Sequence, residues 1–261
     1  MEVDILGCSG GVSGNIRNSG TTCLRLGDHV LIDAGSGLSK LTLDEQRKVT
    51  DVLLTHAHMD HISDLPGFLA NMFDHVNTPI RVHALPETIE VLKDCIFNYQ
   101  IWPDFTQLPS PEAPILEFLT IQPWQTFTLH GYEVTPFFVE HSVPTVGFSV
   151  KDAATKDALR KLQQTHFVFA ADTTHSEVVI DELNRLGHID TLMIECAFPD
   201  SKLDIALQSK HMTPSLIEKT LEGLAEQPRK IWITHLKPAY EKEIRHELRS
   251  RAAFHHWRVL P

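Results

Sequence analysis

The segment Thr55-His56-Ala57-His58-Met59-Asp60-His61 restricts most strongly what this chain can become. It packs four potential metal ligands, His56, His58, Asp60 and His61, into six residues, a density that helix periodicity does not produce and that makes poor core material. Val52-Leu53-Leu54 before it reads as a short buried strand, and Leu65–Phe73 after it carries a helical pattern. The ligands therefore occupy a loop at a strand end. His56 and His58 flank Ala57, so in extended backbone they project to one side, and Asp60 and His61 turn toward a neighbouring position. One metal near each pair is the economical geometry, since neutral imidazole is the commonest metal ligand and a carboxylate adds charge for a second cation. A chance surface cluster of polar residues is the competing reading.

The rest of the chain alternates strand-like and helical runs. Glu2–Leu6 opens it, and Thr22–Leu26 with His29–Asp33 predict a hairpin turning at Gly27-Asp28. Glu87–Phe97 is helical in pattern, and the prolines of Pro103–Pro114 predict an irregular loop. A second block of strands is expected at Leu116–Gln122, Thr126–Leu129, Tyr132–Val139 and Thr145–Val150, followed by a short helix at Asp157–Gln164. Phe167–Ala171, Thr191–Ile194 and Ile231–Thr234 read as buried strands. Thr213 with Pro214 begins a helix to about Leu224, and Tyr240–Arg251 is the last helix. No linker interrupts this order, so one α/β domain over 1–261 is expected, with two sheets packed face to face and helices outside.

HxHxDH behind an apolar strand resembles the signature of the metallo-β-lactamase superfamily. The opening elements, Leu6–Gly11, Asn18-Ser19-Gly20 and Leu31–Gly35, resemble that family's first hairpins. The resemblance implies an αββα four-layer sandwich of two mixed β-sheets flanked by helices, and a hydrolase with two divalent ions, zinc or else manganese or iron. It supplies the remaining ligands in order at later strand ends: His141, Asp172 and His235. His56, His58 and His141 then belong to the first metal, Asp60, His61 and His235 to the second, and Asp172 bridges. Asp33 and Gly35 are structural on this reading.

Glu195 and His211 resemble the additional Glu and His of the phosphodiesterase branch, which includes tRNase Z and the class II cyclic-nucleotide phosphodiesterases. That resemblance makes Asp60, Glu195 and His211 the catalytic groups: Asp60 and Glu195 for proton traffic, His211 for the phosphate or leaving oxygen. The plainer alternatives are a buried carboxylate paired with arginine and a residue that merely precedes a helix cap. Ser142, Thr173 and His175 are candidate substrate contacts, although Thr173 or Thr174 serves equally well as cap for a helix starting near Ser176. Ile96-Phe97-Asn98 and Ile101-Trp102-Pro103 resemble the class II enzymes, whereas Met59 and Asp64 depart from their usual pattern. Only 31 positions separate His141 from Asp172, which leaves no room there for a tRNA-gripping arm.

Composition limits the partners. A net charge of −11 disfavours gripping a long polyanion, which needs a basic face. The basic residues Lys237, Lys242, Arg245, Arg249 and Arg251 alternate with Glu241, Glu243 and Glu247 and read as a solvated helix with i,i+4 pairs. No apolar run reaches the ~18–20 residues of a membrane span. Four scattered cysteines without a CxxC pair, and acids at positions 2 and 4, predict a cytoplasmic protein without a leader. The expectation is a metal-dependent hydrolase of a small phosphodiester, a 3′,5′-cyclic nucleotide first. A tRNA-processing nuclease and a thioester or lactone hydrolase are the alternatives. No long nucleic acid and no membrane is expected as partner, and a homodimer is left open.

Overall fold

Two seven-stranded mixed sheets organise the chain, each with its own hydrophobic core. The computed structural model describes residues 1–12, 20–75, 78–153, 165–251 and 257–261. The helix expected at Asp157–Gln164 and two residues of the opening motif, Asn18 and Ser19, lie outside the described residues. By contact density the chain forms two units: Glu2–Cys8 with Ser13–Gln122, and Met1 with Ser9–Val12 and Pro123–Pro261.

In the first of these units the strands are β1 (Val3–Ser9), β2 (Gly20–Thr21), β3 (Cys23–Leu26), β4 (Val30–Ile32), β5 (Asp51–Leu53), β6 (Ile80–Ala84) and β9 (Leu116–Thr120). Their order is β2-β1-β3-β4-β5-β6-β9. The expected hairpin is β3–β4, antiparallel with Leu26 opposite Val30 around a positive-φ Gly27. From β4 onward the pairing is parallel. Parallel strands need crossovers, and the helices Leu65–Met72 and Pro86–Cys95 lie within them. Leu65, Phe68, Leu69 and Met72 bury one helical face against Leu31, Val52 and Leu54, which is why an apolar strand is followed at once by an amphipathic helix.

The second unit holds β10 (Phe127–Leu129), β11 (Tyr132–Val139), β12 (Thr145–Asp152), β13 (His166–Phe169), β14 (Thr191–Glu195), β15 (Lys230–Thr234) and β16 (Trp257–Val259) in sequential order. β11, β12 and β13 pair antiparallel, whereas β13 through β16 pair parallel. β11 therefore runs in the same direction as β13, β14 and β15, and the four strands end at one edge of the sheet. The helices Glu177–Leu186 and Pro214–Glu222 provide crossovers, and Val179, Leu183, Ile217 and Leu221 pack with Val168, Ile194 and Ile233. Thr213 caps the second helix, its hydroxyl accepting from the Leu216 N–H ahead of Pro214.

Three expectations need correction. Leu116–Thr120 does not open the second block; it extends the first sheet, parallel to β6, because the preceding helix and loop provide a long enough crossover. Pro103–Pro114 is not wholly irregular: β7 (Pro109–Ser110) and β8 (Ala113–Pro114) form a minimal ladder with proline at its outer positions, where a missing donor is tolerated. The helix after Asp172 is capped by Ser176, which accepts from the Val179 N–H, and not by Thr173 or Thr174. Of the aromatic segments that resemble the class II enzymes, Phe97 is a core residue packed with Phe105 and Phe118, whereas Trp102 is partly exposed.

Candidate metal centre

In the first unit, β4 and β5 end side by side, bringing Asp33 against Thr55, His56 and His61. Asp33 is fully buried in left-handed backbone, with φ of 58°. Every polar neighbour of its carboxylate is a donor. Oδ1 accepts from the Thr55 N–H at 2.8 Å, the Thr55 hydroxyl lies 2.9 Å from Oδ2, and Oδ2 also accepts from His61 Nδ1 at 2.7 Å. Since the Thr55 hydroxyl donates to Asp33, its oxygen is left to accept from His56 Nδ1, 3.0 Å away. One carboxylate therefore fixes the tautomer of two imidazoles, placing the proton on Nδ1 and the lone pair on Nε2 in both. Carboxylate and hydroxyl partners behind the distal nitrogen are what metal-ligating histidines require. Burial pushes the Asp33 carboxyl above its ordinary value, opposed by its interactions with His61 and Thr55.

His58 is the N-cap of a single helical turn, Met59–Ile62, that turns Asp60 and His61 away from the extended residues before them. The rings of His56 and His58 meet edge to face at 4.6 Å, and those of His56 and His61 at 4.2 Å. This packing brings the predicted pairs together within the unit. The turn is pinned by the Ala34 N–H donating to the His61 carbonyl at 2.7 Å. Gly35 is required here, because a Cβ would fall 2.2 Å from the Asp60 carbonyl oxygen.

In the second unit the shared strand edge gathers His141 after β11, Asp172 after β13, Glu195 at the end of β14 and His235 after β15. His141, Asp172 and His211 each offer a ligand atom within 4.8 Å of the others, and His235 Nε2 lies 3.2 Å from Asp172 Oδ2. Ala171 and His235 adopt left-handed backbone, φ of 54° and 59°, a strained conformation that turns the chain sharply at two of these strand ends. His141 Nδ1 donates to the Lys210 carbonyl at 3.0 Å, again leaving Nε2 as the lone-pair nitrogen.

Glu195 is fully buried and accepts four N–H groups: from the Thr173 backbone and His211 Nδ1 on Oε1, and from the Ala197 and Met212 backbones on Oε2. The His211–Glu195 contact is 2.6 Å. Burial alone lowers the pKa of His211, but the fields of Glu195 and Asp172 outweigh it, against Lys237, and hold the imidazole above its ordinary value. Of the candidate substrate contacts, Ser142 is exposed. Thr173 is buried, its hydroxyl donating to the Glu140 carbonyl at 3.2 Å, and His175 Nδ1 lies 3.0 Å from the Thr220 hydroxyl. The linking functions of Thr55 and Lys210 were not foreseen from sequence; a hydroxyl directly before HxH was the available signal for Thr55.

The chain belongs to the family described as the beta-lactamase superfamily domain, whose model matches residues 28–236. Among solved structures it resembles the metallo-beta-lactamase fold protein YhfI from Bacillus subtilis, with a TM-score of 0.72 at 18% identity over 99% of this chain and 95% of that one, and shares its fold. In sequence it is 26% identical to 3′,5′-cyclic-nucleotide phosphodiesterase 1 of Saccharomyces cerevisiae over 217 residues, 77% of this chain and 56% of that protein. It is 28% identical to ribonuclease Z of Bradyrhizobium sp. over 166 residues, 61% of this chain and 52% of that protein. The chain thus spans about half the length of these two curated relatives. Among the described residues no helix is long and apolar enough to cross a membrane.

Proposed function

We propose that the chain is a metal-dependent phosphodiesterase of the cytoplasm acting on a small phosphodiester, a 3′,5′-cyclic nucleotide first, with the two units working as one hydrolase domain. His56, His58 and His141 would hold one divalent ion, Asp60, His61 and His235 a second, with Asp172 shared. The donor set fits: oxygen partners behind Nδ1 present Nε2 of His56, His61 and His141, and imidazole with carboxylate suits zinc. When bound, such ions supply Lewis acidity and lower the pKa of water.

The observation that carries the reading is the buried His211–Glu195 pair beside Asp172 and His141. A phosphodiester expels an alkoxide that needs a proton, and an imidazole seated through Nδ1 on a buried carboxylate is placed to deliver one from Nε2. Glu195, its oxygens occupied by four donors, acts through His211 as a positioning residue. Asp60 is half-buried and takes up the proton lost by the attacking water. Ser142 is the exposed candidate phosphate contact, while Thr173 ties down Glu140 just before it and His175 packs onto Thr220. The likeness to a cyclic-nucleotide phosphodiesterase supports the substrate class. The likeness to ribonuclease Z favours tRNA processing as the second reading, against which the charge of −11 weighs.

Zinc-loaded protein assayed in parallel on cyclic AMP, bis(p-nitrophenyl) phosphate, a tRNA precursor and a thioester tests this. Hydrolysis of the first two, abolished by EDTA and restored by zinc, is expected. Turnover of the thioester alone refutes the phosphodiesterase assignment, and turnover of the tRNA precursor alone selects the nuclease.

A further inference from the structure

Lys237 is half-buried and held from both sides. Its N–H donates to the Ala197 carbonyl at 3.3 Å, and its carbonyl accepts from the Tyr240 N–H at 2.9 Å. Its side chain lies across Phe198, with Nζ 5.5 Å from the ring centroid. Phe198 is 5% exposed and is a shared wall: the His211 ring packs 5.9 Å away, centroid to centroid. On the other side the ammonium has one long contact, 3.5 Å to the Gly10 carbonyl oxygen. Gly10 is itself pressed on His235, where a Cβ would fall 2.8 Å from ring atom Cδ2. The ammonium therefore touches two residues that pack in turn on His211 and on His235.

Four basic side chains of this unit have carboxylate partners. Lys210 pairs with Glu140, Arg229 with Asp190, Arg245 with Glu241, and Arg251 with Asp200 and Glu218. Among the described residues no carboxylate lies within ion-pair reach of Lys237. A partly desolvated ammonium with an aromatic face and one weak carbonyl contact is under-solvated, and an anion is the partner that completes its shell. In a chain of net charge −11, an uncompensated cation beside His211 has a plain use.

We infer that Lys237 is the substrate's anion-binding residue, its ammonium contacting a non-bridging phosphate oxygen of a nucleotide. The inference rests on the phosphodiesterase reading and adds a residue that is neither a proposed ligand nor a proton carrier. Lys237 takes part in substrate capture and in holding the nucleotide product.

Zinc-loaded wild type, Lys237→Gln and Lys237→Arg are compared in two measurements: calorimetric binding of 5′-AMP at several salt concentrations, and kcat and KM on cyclic AMP. For Lys237→Gln the AMP Kd and the KM are expected to rise about 10- to 100-fold, the loss of one charge-assisted hydrogen bond, with kcat within about threefold and a flatter salt dependence. Lys237→Arg is expected to recover most of the binding, and unchanged thermal unfolding of both variants shows that the fold is intact. Wild-type AMP affinity and KM in Lys237→Gln overturn the inference while leaving the phosphodiesterase reading standing. A wild type that cleaves no phosphodiester yet binds AMP in a Lys237-dependent way overturns that reading and leaves the anion site. Failure of the wild type to bind AMP overturns the inference outright.

Discussion

Replacing Asp33 by asparagine changes one oxygen to an amide nitrogen at a position where every neighbour is a donor. With the amide toward Thr55, two N–H donors face each other in a buried site, and the 2.8 Å contact becomes repulsive. With the amide toward His61, the imidazole must accept at Nδ1 and move its proton to Nε2, the atom proposed to meet the metal. Either orientation leaves a buried donor unsatisfied, a cost of about 1–3 kcal/mol, and metal affinity is expected to fall about 10- to 100-fold, as for other partners behind a ligating histidine. Urea unfolding of metal-free protein measures the first quantity, and zinc competition with a chromophoric chelator the second. Thr55→Val provides a graded control, since it removes the hydroxyl that links Asp33 to His56 and leaves the His61 contact in place. Its affinity is expected between wild type and Asp33→Asn. Wild-type zinc affinity in Asp33→Asn would refute the tautomer argument, because no orientation of the amide then disturbs the imidazoles.

Two further outcomes are expected. His166 is buried, its Nδ1 donating to the His188 carbonyl at 2.5 Å and its Nε2 2.7 Å from the Ser149 hydroxyl, and burial holds its pKa at about 4 against an ordinary 6.5. The unfolded chain takes up that proton first, so stability is level above pH 6.5 and declines between 6.5 and about 4, by about 3 kcal/mol in total. The difference in unfolding free energy between wild type and His166→Gln, both metal-free, should shrink across that window; a constant difference refutes the assignment. Lys210 ends the helix Leu203–Ser209 in left-handed backbone, φ 53°. Lys210→Gly should raise the melting temperature slightly, by relief of about 1 kcal/mol of strain, while Lys210→Val lowers it; a lower melting temperature for Lys210→Gly would mean that the ion pair with Glu140 outweighs the strain.

The metal-site candidates and most strands were legible because both leave local marks. A ligand-rich turn behind an apolar run is visible without long-range information, and so is each later His or Asp just past a buried strand. Strand partnership was less visible: Leu116–Thr120 has the same alternation whether it joins one sheet or the other, and only the crossover decides. The helix Leu203–Ser209 was missed because Leu203, Ile205 and Leu207 are substantially exposed, which blurs the amphipathic pattern. Edge strand Trp257–Val259 is too short for periodicity to register. The four-donor seat of Glu195 was not readable, since it depends on backbone N–H groups that a sequence does not position, and the tautomer control by Asp33 left only the Thr55 hydroxyl as a local sign.

The parallel run of the second sheet has a practical consequence. Its proposed ligands collect where the strands finish, whereas the segments around Gly187–Asp190 and Glu226–Arg229 lie where β14 and β15 start, a strand's length away. A fluorophore, affinity handle or surface tether placed at Glu226 reports on or immobilises the protein without approaching the proposed ligands of that unit. Glu226 is 57% exposed and gives up only its pairing with His188.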